Sequence, residues 1–214
     1  MAAMEQRHHI GGHNMNAGKL ITFEGIDGAG KSTQVALLAD WLIRHGADPV
    51  VTREPGGTPI GEKIRALLFD QSALHPLAEI FLFQSDRAQH FSDVVLPALR
   101  CGKTVISDRC YDSSIAYQGQ SHYVGIIDDL SFYAMQSKSP DITFLLDIPI
   151  EYVPKRKQEN RFDKQTDNFF MSASAAYQKL AEEHPARIKV IDATLSIDGV
   201  HEQVLSYIRP LSSL

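Results

Sequence analysis

The sequence predicts a three-layer α/β/α protein built on a five-stranded parallel sheet. Short apolar, β-branched stretches alternate with longer segments whose apolar residues recur at helical spacing. Strands alternating with helices pair in parallel through right-handed crossovers. The run Gly25-Ile26-Asp27-Gly28-Ala29-Gly30-Lys31-Ser32, followed by Thr33, has the G-x-x-x-x-G-K-S spacing of a phosphate-binding loop. It stands between Leu20-Ile21-Thr22-Phe23, a buried-strand pattern, and Val35, Leu38, Leu42 and Ile43, which share a helical face. Strand, glycine loop and helix together are the context this motif requires.

The elements follow in order. Residues 19–24 form the first strand and about 31–45 the first helix, stopped by Gly46. Pro49-Val50-Val51-Thr52 is a second strand, and Arg53-Glu54-Pro55-Gly56-Gly57-Thr58 a turn-rich loop. Thr58-Pro59 starts a helix that Ile60, Ile64 and Leu67 continue. Residues 76–100 read as one long helix with Leu77, Ile80, Phe81, Phe91, Val94 and Val95 on its core face, kinked or shortened at Pro97. Phe83 and Arg87 project from that helix one turn apart. A third strand spans 103–107 and ends in Asp108-Arg109. A helix over about 126–138 leads to a fourth strand, 142–146, ending in Asp147. A charged stretch interrupts the pattern before a helix over about 167–183, a strand over 188–191 and a last helix over about 197–208. There is no internal repeat, so residues 19–214 read as one domain. Residues 1–18, rich in Met, His, Gly and Asn, read as a disordered leader or expression remnant without a signal-peptide pattern.

Composition bounds the function. The chain has 214 residues, 43% hydrophobic and 22% charged, which suits a globular protein with a large core. A formal charge of −5 argues against a general nucleic-acid binder. No apolar run approaches the ~20 residues that span a bilayer, so no membrane role is expected. The two cysteines, Cys101 and Cys110, read as buried thiols of a reducing, cytoplasmic compartment.

The loop sequence makes a phosphate site because glycines let successive N–H groups turn inward while the new helix adds its positive end. Lys31 reaches the outer phosphates and the Ser32 hydroxyl can ligate Mg²⁺. Ligands of such folds bind at the carboxyl ends of the strands. Asp27, Arg53, Asp108 and Asp147 all follow strand ends and should gather at that rim. The guanine-reading Asn-Lys-x-Asp of a GTPase and the Leu-Ser-Gly-Gly-Gln of a transporter ATPase are both missing. Loop arginines suit a kinase whose acceptor is itself a phosphate: no general base is needed, and catalysis is positioning and cationic clamping. Arginine serves this because its planar fork holds phosphate oxygens bidentately.

Four stretches together resemble the bacterial thymidylate kinases over about residues 19 to 208. They are Phe23-Glu24 through Thr33; Thr52 through Thr58; Phe83 with Asp86-Arg87-Ala88; and Asp108-Arg109 leading to Ser113-Ser114-Ile115-Ala116-Tyr117-Gln118. The resemblance implies a P-loop kinase fold with a short lid at about residues 154–166, transferring the γ-phosphoryl group of ATP to dTMP to give dTDP for DNA precursor supply. It implies that Gly25 to Thr33 hold ATP, with Lys31 on its phosphates. Asp27 lies between donor and acceptor, and Arg53 and Arg109 bind the acceptor phosphate. Phe83 stacks on thymine, Arg87 reads a base carbonyl, Ser114 and Gln118 lie near the base, and Tyr117 crowds the ribose 2′ position. Ser32 and Asp108 are the metal-side residues, and Glu54 either shapes the acceptor-phosphate pocket or touches metal-bound water. Ala29 in the loop is the mark of the subtype that supplies its catalytic arginine from the lid, here Arg156 or Arg161. The family implies a homodimer. Cys110 stands where an aromatic residue is usual. A related kinase with another acceptor, or a nucleotide-binding switch without turnover, are the rival readings that acceptor preference and turnover separate.

Overall fold

The computed structural model describes residues 18–70, 72–119, 123–153 and 166–210. Its sheet comprises β1 (Leu20–Glu24), β2 (Val50–Arg53), β3 (Val105–Asp108), β4 (Ile142–Asp147) and β5 (Ile188–Asp192). The strands are all parallel, in the order β2-β3-β1-β4-β5. The helices are α1 (Lys31–Arg44), α2 (Pro59–Phe69), α3 (Pro76–His90), α4 (Leu96–Arg100), α5 (Tyr111–Gln118), α6 (Val124–Ala134), α7 (Asp167–Glu183) and α8 (Ile197–Ile208). The expected three-layer fold is what forms.

Side-chain alternation along the strands feeds two faces. Ile21, Phe23, Ile142, Phe144 and Leu146 pack with Val35, Leu38 and Leu42 of α1 and Val204, Leu205 and Ile208 of α8. On the other face Leu20 and Val105 pack with Phe91, Val95 and Met135, while Leu145 and Ile188 meet Tyr177 and Leu180 of α7. β1 is buried on both faces along its length, as a central parallel strand should be. Thr22 and Thr143 pay no polar penalty there, because their hydroxyls hydrogen-bond across β1 and β4 at 2.7 Å.

Some local expectations are corrected. Ile43 and Phe81 are 59% and 50% exposed: each lies about 100° round its helix from a buried neighbour, Leu42 and Ile80. The long helix is not shortened at Pro97, which sits inside α4. It opens into a π-helical turn at Phe91–Val95 before α4. Pro97 has no N–H for the Asp93 carbonyl and its ring would crowd that carbonyl, so the strain is taken up one turn earlier. The helix expected over 126–138 starts and stops sooner, at Val124–Ala134, and Gln136 and Ser137 then take positive φ. Cys101 is exposed, and only Cys110 is buried.

The connections place the site. β1 leads to β2 on one side of the sheet while β3 leads across β1 to β4 on the other, so a crevice opens at their carboxyl ends.

Candidate active site

The loop after β1 builds the floor of the crevice. Gly25 has φ +133, and a Cβ there would stand 2.5 Å from the Leu146 carbonyl oxygen, so only glycine lets the chain leave the sheet here. Gly30 caps α1 with no side-chain cap, and the first turn holds no acid. The opening N–H groups and the positive helix end are therefore left for an anion. Lys31 is 7% exposed, and its ammonium donates to the Gly25 and Ile26 carbonyls at 3.1 and 2.8 Å. Burial, with the charge of Arg109, lowers it to about 8 against the pull of Asp27 and Asp108. Ser32 Oγ donates to Asp108 Oδ2 at 2.5 Å, which sets a hydroxyl and a carboxylate side by side at the ends of β1 and β3.

Above this floor lies a cavity of about 470 Å³, lined by Asp27, Lys31, Ser32, Thr33, Asp108 and the guanidinium groups of Arg53, Arg65 and Arg109, among others. Arg53 ends β2 and donates to both Glu62 oxygens at 2.9 and 3.1 Å. Arg65 stands one turn beyond Glu62, donates to the Pro55 carbonyl at 2.8 Å and lies 4.4 Å over the Phe69 ring. Arg109 pairs with Asp27 and donates to the Gly25 carbonyl at 3.1 Å. Its φ of +74 is a left-handed conformation rare outside glycine. Four cations on one wall set suit a polyanion and spread charge over phosphate oxygens.

A second, smaller cavity adjoins the first and shares Asp27, Glu54, Pro55, Phe69 and Arg109 with it. Its remaining lining is Phe83, Arg87, Cys110, Ser113, Ser114, Tyr117 and Gln118. Arg87 is 1% exposed. Its guanidinium donates to Glu54 Oε2 at 2.9 Å, Gln84 Oε1 at 3.0 Å, Ser131 Oγ at 3.4 Å and Ser114 Oγ at 3.1 Å. A guanidinium has five N–H groups, so a ligand in this slot still finds a donor. Glu54 Oε1 takes the His90 ring at 3.0 Å, and His90 reaches Thr52 at 2.6 Å. Burial alone would raise the Glu54 carboxyl, but the Arg87 charge and the His90 hydrogen bond outweigh it and hold it below the ordinary range. Both Glu54 oxygens are thus engaged within the protein. Of the two roles expected for Glu54, these contacts suit shaping the pocket, through Arg87, better than touching metal-bound water.

Behind Arg109 stands Glu24, 0% exposed. It accepts from the Cys110 N–H at 2.7 Å, Ser113 Oγ at 2.6 Å and Tyr177 OH at 2.9 Å. Burial, then the nearby Asp112 charge, raises it to about 7. Asp86, beside Arg87, holds the Gly56 N–H at 2.9 Å. Burial and the Glu54 charge raise it to about 7 as well. Cys110 packs within the core against Met135.

The structure brings Asp27, Gly28, Gly30, Lys31, Ser32, Thr33, Arg53, Glu54, Asp108 and Arg109 to one cavity and Phe83, Arg87, Ser114, Tyr117 and Gln118 to the next. Gly25, Ile26 and Ala29 shape the loop without lining either cavity, the last two being buried. Asp147 ends β4 at the same rim but lines neither cavity. Arg156, Arg161 and the rest of the expected lid up to residue 165 lie outside the described residues, as does the leader up to residue 17. Sequence reasoning missed Arg65 and Phe69. Their i, i+3, i+7 spacing with Glu62 is the signal that marks a second stripe on α2. It also missed His90 and Tyr177, which act from beneath the surface and carry no motif of their own, and it gave Glu24, inside the first resembling stretch, no role.

A phosphate loop on the central strand, facing a cation-lined cleft that runs into an aromatic slot, defines a P-loop nucleotide kinase. The family model for thymidylate kinase matches residues 23–204. Two curated relatives carry the name thymidylate kinase. The one from Chromobacterium violaceum is 41% identical over 201 residues, 91% of this chain and 95% of that protein. The one from Kosmotoga olearia is 42% identical over 192 residues, 86% and 92% of the two chains. A crystal structure of thymidylate kinase from Ehrlichia chaffeensis superposes with a TM-score of 0.75 at 35% identity, covering 90% of this chain and 99% of that one. The chain belongs to the thymidylate kinase family.

Proposed function

We infer that this enzyme transfers the γ-phosphoryl group of ATP to dTMP, giving dTDP and ADP for nucleotide biosynthesis. The observation that carries the residue-level reading is the wall shared by the two cavities, where Asp27 and Arg109 stand. A nucleotide seated on the loop and another stacked in the slot would meet there with their phosphates.

The acceptor phosphate is mostly dianionic near neutrality, since its second pKa is about 6, so it attacks without a general base. The barrier is repulsion between anions and charge spreading over the transferred group, which fixed cations offset. The loop N–H groups and Lys31 hold the donor phosphates. Arg109 and Arg53 hold the acceptor phosphate, each leaving its carboxylate partner, Asp27 or Glu62, for a phosphate oxygen. Asp27 faces the acceptor sugar. Phe83 stacks on the base, Arg87 donates to a base carbonyl, Ser114 and Gln118 lie near the base, and Tyr117 closes the ribose side.

Among the described residues no group of three or more His, Cys, Asp or Glu is arranged to hold a metal ion. The Ser32 hydroxyl and Asp108 carboxylate, in mutual contact, fit Mg²⁺, which takes few protein oxygens and completes its shell with phosphates and water. Bound there, Mg²⁺ neutralises charge on the donor phosphates. A lid arginine, Arg156 or Arg161, completes the proposal.

The homodimer is part of the same reading. Ile60, Leu67, Phe81 and Tyr133 are 51%, 58%, 50% and 70% exposed on α2, α3 and α6, an apolar display that a second copy would cover. A cytoplasmic setting goes with both cysteines being free thiols. No helix among the described residues is long and apolar enough to cross a membrane.

Binding of dTMP and thymidine to two variants tests the site. Phe83→Ala should weaken both ligands, by roughly 1–3 kcal/mol if stacking is lost. Arg53→Ala should weaken dTMP alone. Equal loss of both ligands in Arg53→Ala, or no loss in Phe83→Ala, contradicts the assignment.

A further inference from the structure

Arg109 holds a left-handed backbone with φ +74, which a non-glycine residue keeps only where its surroundings over-determine it. The backbone is held by the Arg109 N–H on the Phe23 carbonyl at 2.9 Å and by Ser107 Oγ on the Arg109 carbonyl at 2.7 Å, and the side chain meets a triangle of oxygens. Glu24 Oε2 lies 2.6 Å from Ser113 Oγ and 2.9 Å from Tyr177 OH, and the two hydroxyls are 2.8 Å apart. Arg109 Nη1 donates to both hydroxyls, at 3.0 and 3.2 Å. A hydroxyl has one proton to give and lone pairs to receive. With Glu24 ionised, the hydroxyl protons are shared between its carboxylate and the contact between the two hydroxyls, and both hydroxyl oxygens offer lone pairs to the guanidinium. The Glu24 charge thus reaches Arg109 through two hydroxyl relays.

The three oxygens come from β1, α5 and α7, so the triangle ties three elements to one side chain. The Tyr177 ring is fixed independently of any phosphate. It is 2% exposed and packs edge-on against Tyr117 at 6.2 Å. Tyr177 lines neither cavity, so its influence on the acceptor has to pass through a neighbour, and its hydroxyl bonds Arg109 directly.

We propose that Tyr177 is a positioning residue for phosphoryl transfer. Its hydroxyl, with Ser113 and Glu24, fixes the Arg109 guanidinium where the two cavities meet. The proposal rests on the reading of Arg109 as the acceptor-phosphate clamp. A guanidinium free to swing misplaces that clamp while leaving the phosphate loop as it is.

Tyr177→Phe removes one oxygen and keeps the ring. It should lower kcat/KM for dTMP roughly 10- to 100-fold, the scale of an ångström's misplacement at a reacting group. KM for ATP should stay within about twofold. In an Arg109→Ala background the same change should have less than about a twofold effect, because coupled residues are non-additive. Ser113→Ala should repeat this dependence on background, and it decides the matter if Tyr177→Phe fails to fold. Equal losses in both backgrounds overturn the proposal. Normal kinetics in Tyr177→Phe beside a strong Arg109→Ala defect overturn it while leaving the Arg109 clamp standing. An Arg109→Ala enzyme as active as the parent overturns both.

Discussion

Lys31 shows how one buried side chain can be poised by its setting. Its stem is enclosed and its ammonium caps two loop carbonyls, which sets the charge at the loop proposed to take the donor phosphates. The cost of that enclosure is a value near 8 rather than the ordinary lysine range. The protonated form carries the clamp. The kcat/KM for ATP should therefore fall as pH climbs past about 8, read from initial rates at saturating dTMP. Lys31→Ala should remove turnover on the order of 10²-fold or more. A flat profile through that range, or near-normal kcat in the variant, removes Lys31 from the proposed role. Lys31 was legible in the sequence because the motif fixes its spacing to the loop. Glu54 was legible as a site residue, with pocket shaping and metal contact both left open. Nothing in Arg53-Glu54-Pro55 reveals that Arg87 and His90, 33 and 36 residues on, take its two oxygens.

At the scale of elements, the segment from β2 into α2 decides how the acceptor side is built. Thr58 caps α2 by accepting the Gly61 N–H at 2.9 Å, and the helix then presents Glu62, Arg65 and Phe69 toward the cleft. Gly56 has φ +124, and a Cβ there would lie 2.6 Å from Glu62 Oε1 and 3.3 Å from Arg53 Nε. Gly56→Ala should thus strain the turn and displace the Arg53–Glu62 pair together. KM for dTMP should rise roughly tenfold with KM for ATP little changed, the pattern of lost binding on one side of the cleft. An unchanged KM for dTMP would show that the turn does not set Arg53. The strand-helix alternation was readable because each element repeats its own period. The π turn at Phe91–Val95 was not, since it answers to how the chain relieves Pro97 inside a packed helix. The outward faces of Ile43 and Phe81 were also misread, because both continue an apolar pattern that turns out of the core by one residue.

Across the whole molecule, buried acids make stability depend on pH in a defined direction. Glu24 and Asp86 both titrate near 7 when folded, raised by burial first. A raised carboxyl takes up a proton in the folded state before the unfolded chain does. Its contribution is fully present below the ordinary carboxylate range and is lost as pH rises through about 7. Glu54, held low, works in the opposite sense and loses its contribution only as pH falls through its depressed value. Thermal unfolding between about pH 5 and 7 should show this slope, and Glu24→Gln with Asp86→Asn should flatten it. An identical slope in the double variant contradicts the assignment. The central claim is that a phosphate loop and a base slot on one sheet edge serve dTMP as acceptor. ADP release measured with ATP and, in turn, dTMP, dUMP, dCMP, dAMP, dGMP and thymidine tests it most directly. The account predicts the highest kcat/KM for dTMP and no turnover of thymidine, which lacks the phosphate nucleophile. Preference for another monophosphate, or phosphorylation of thymidine itself, would contradict it.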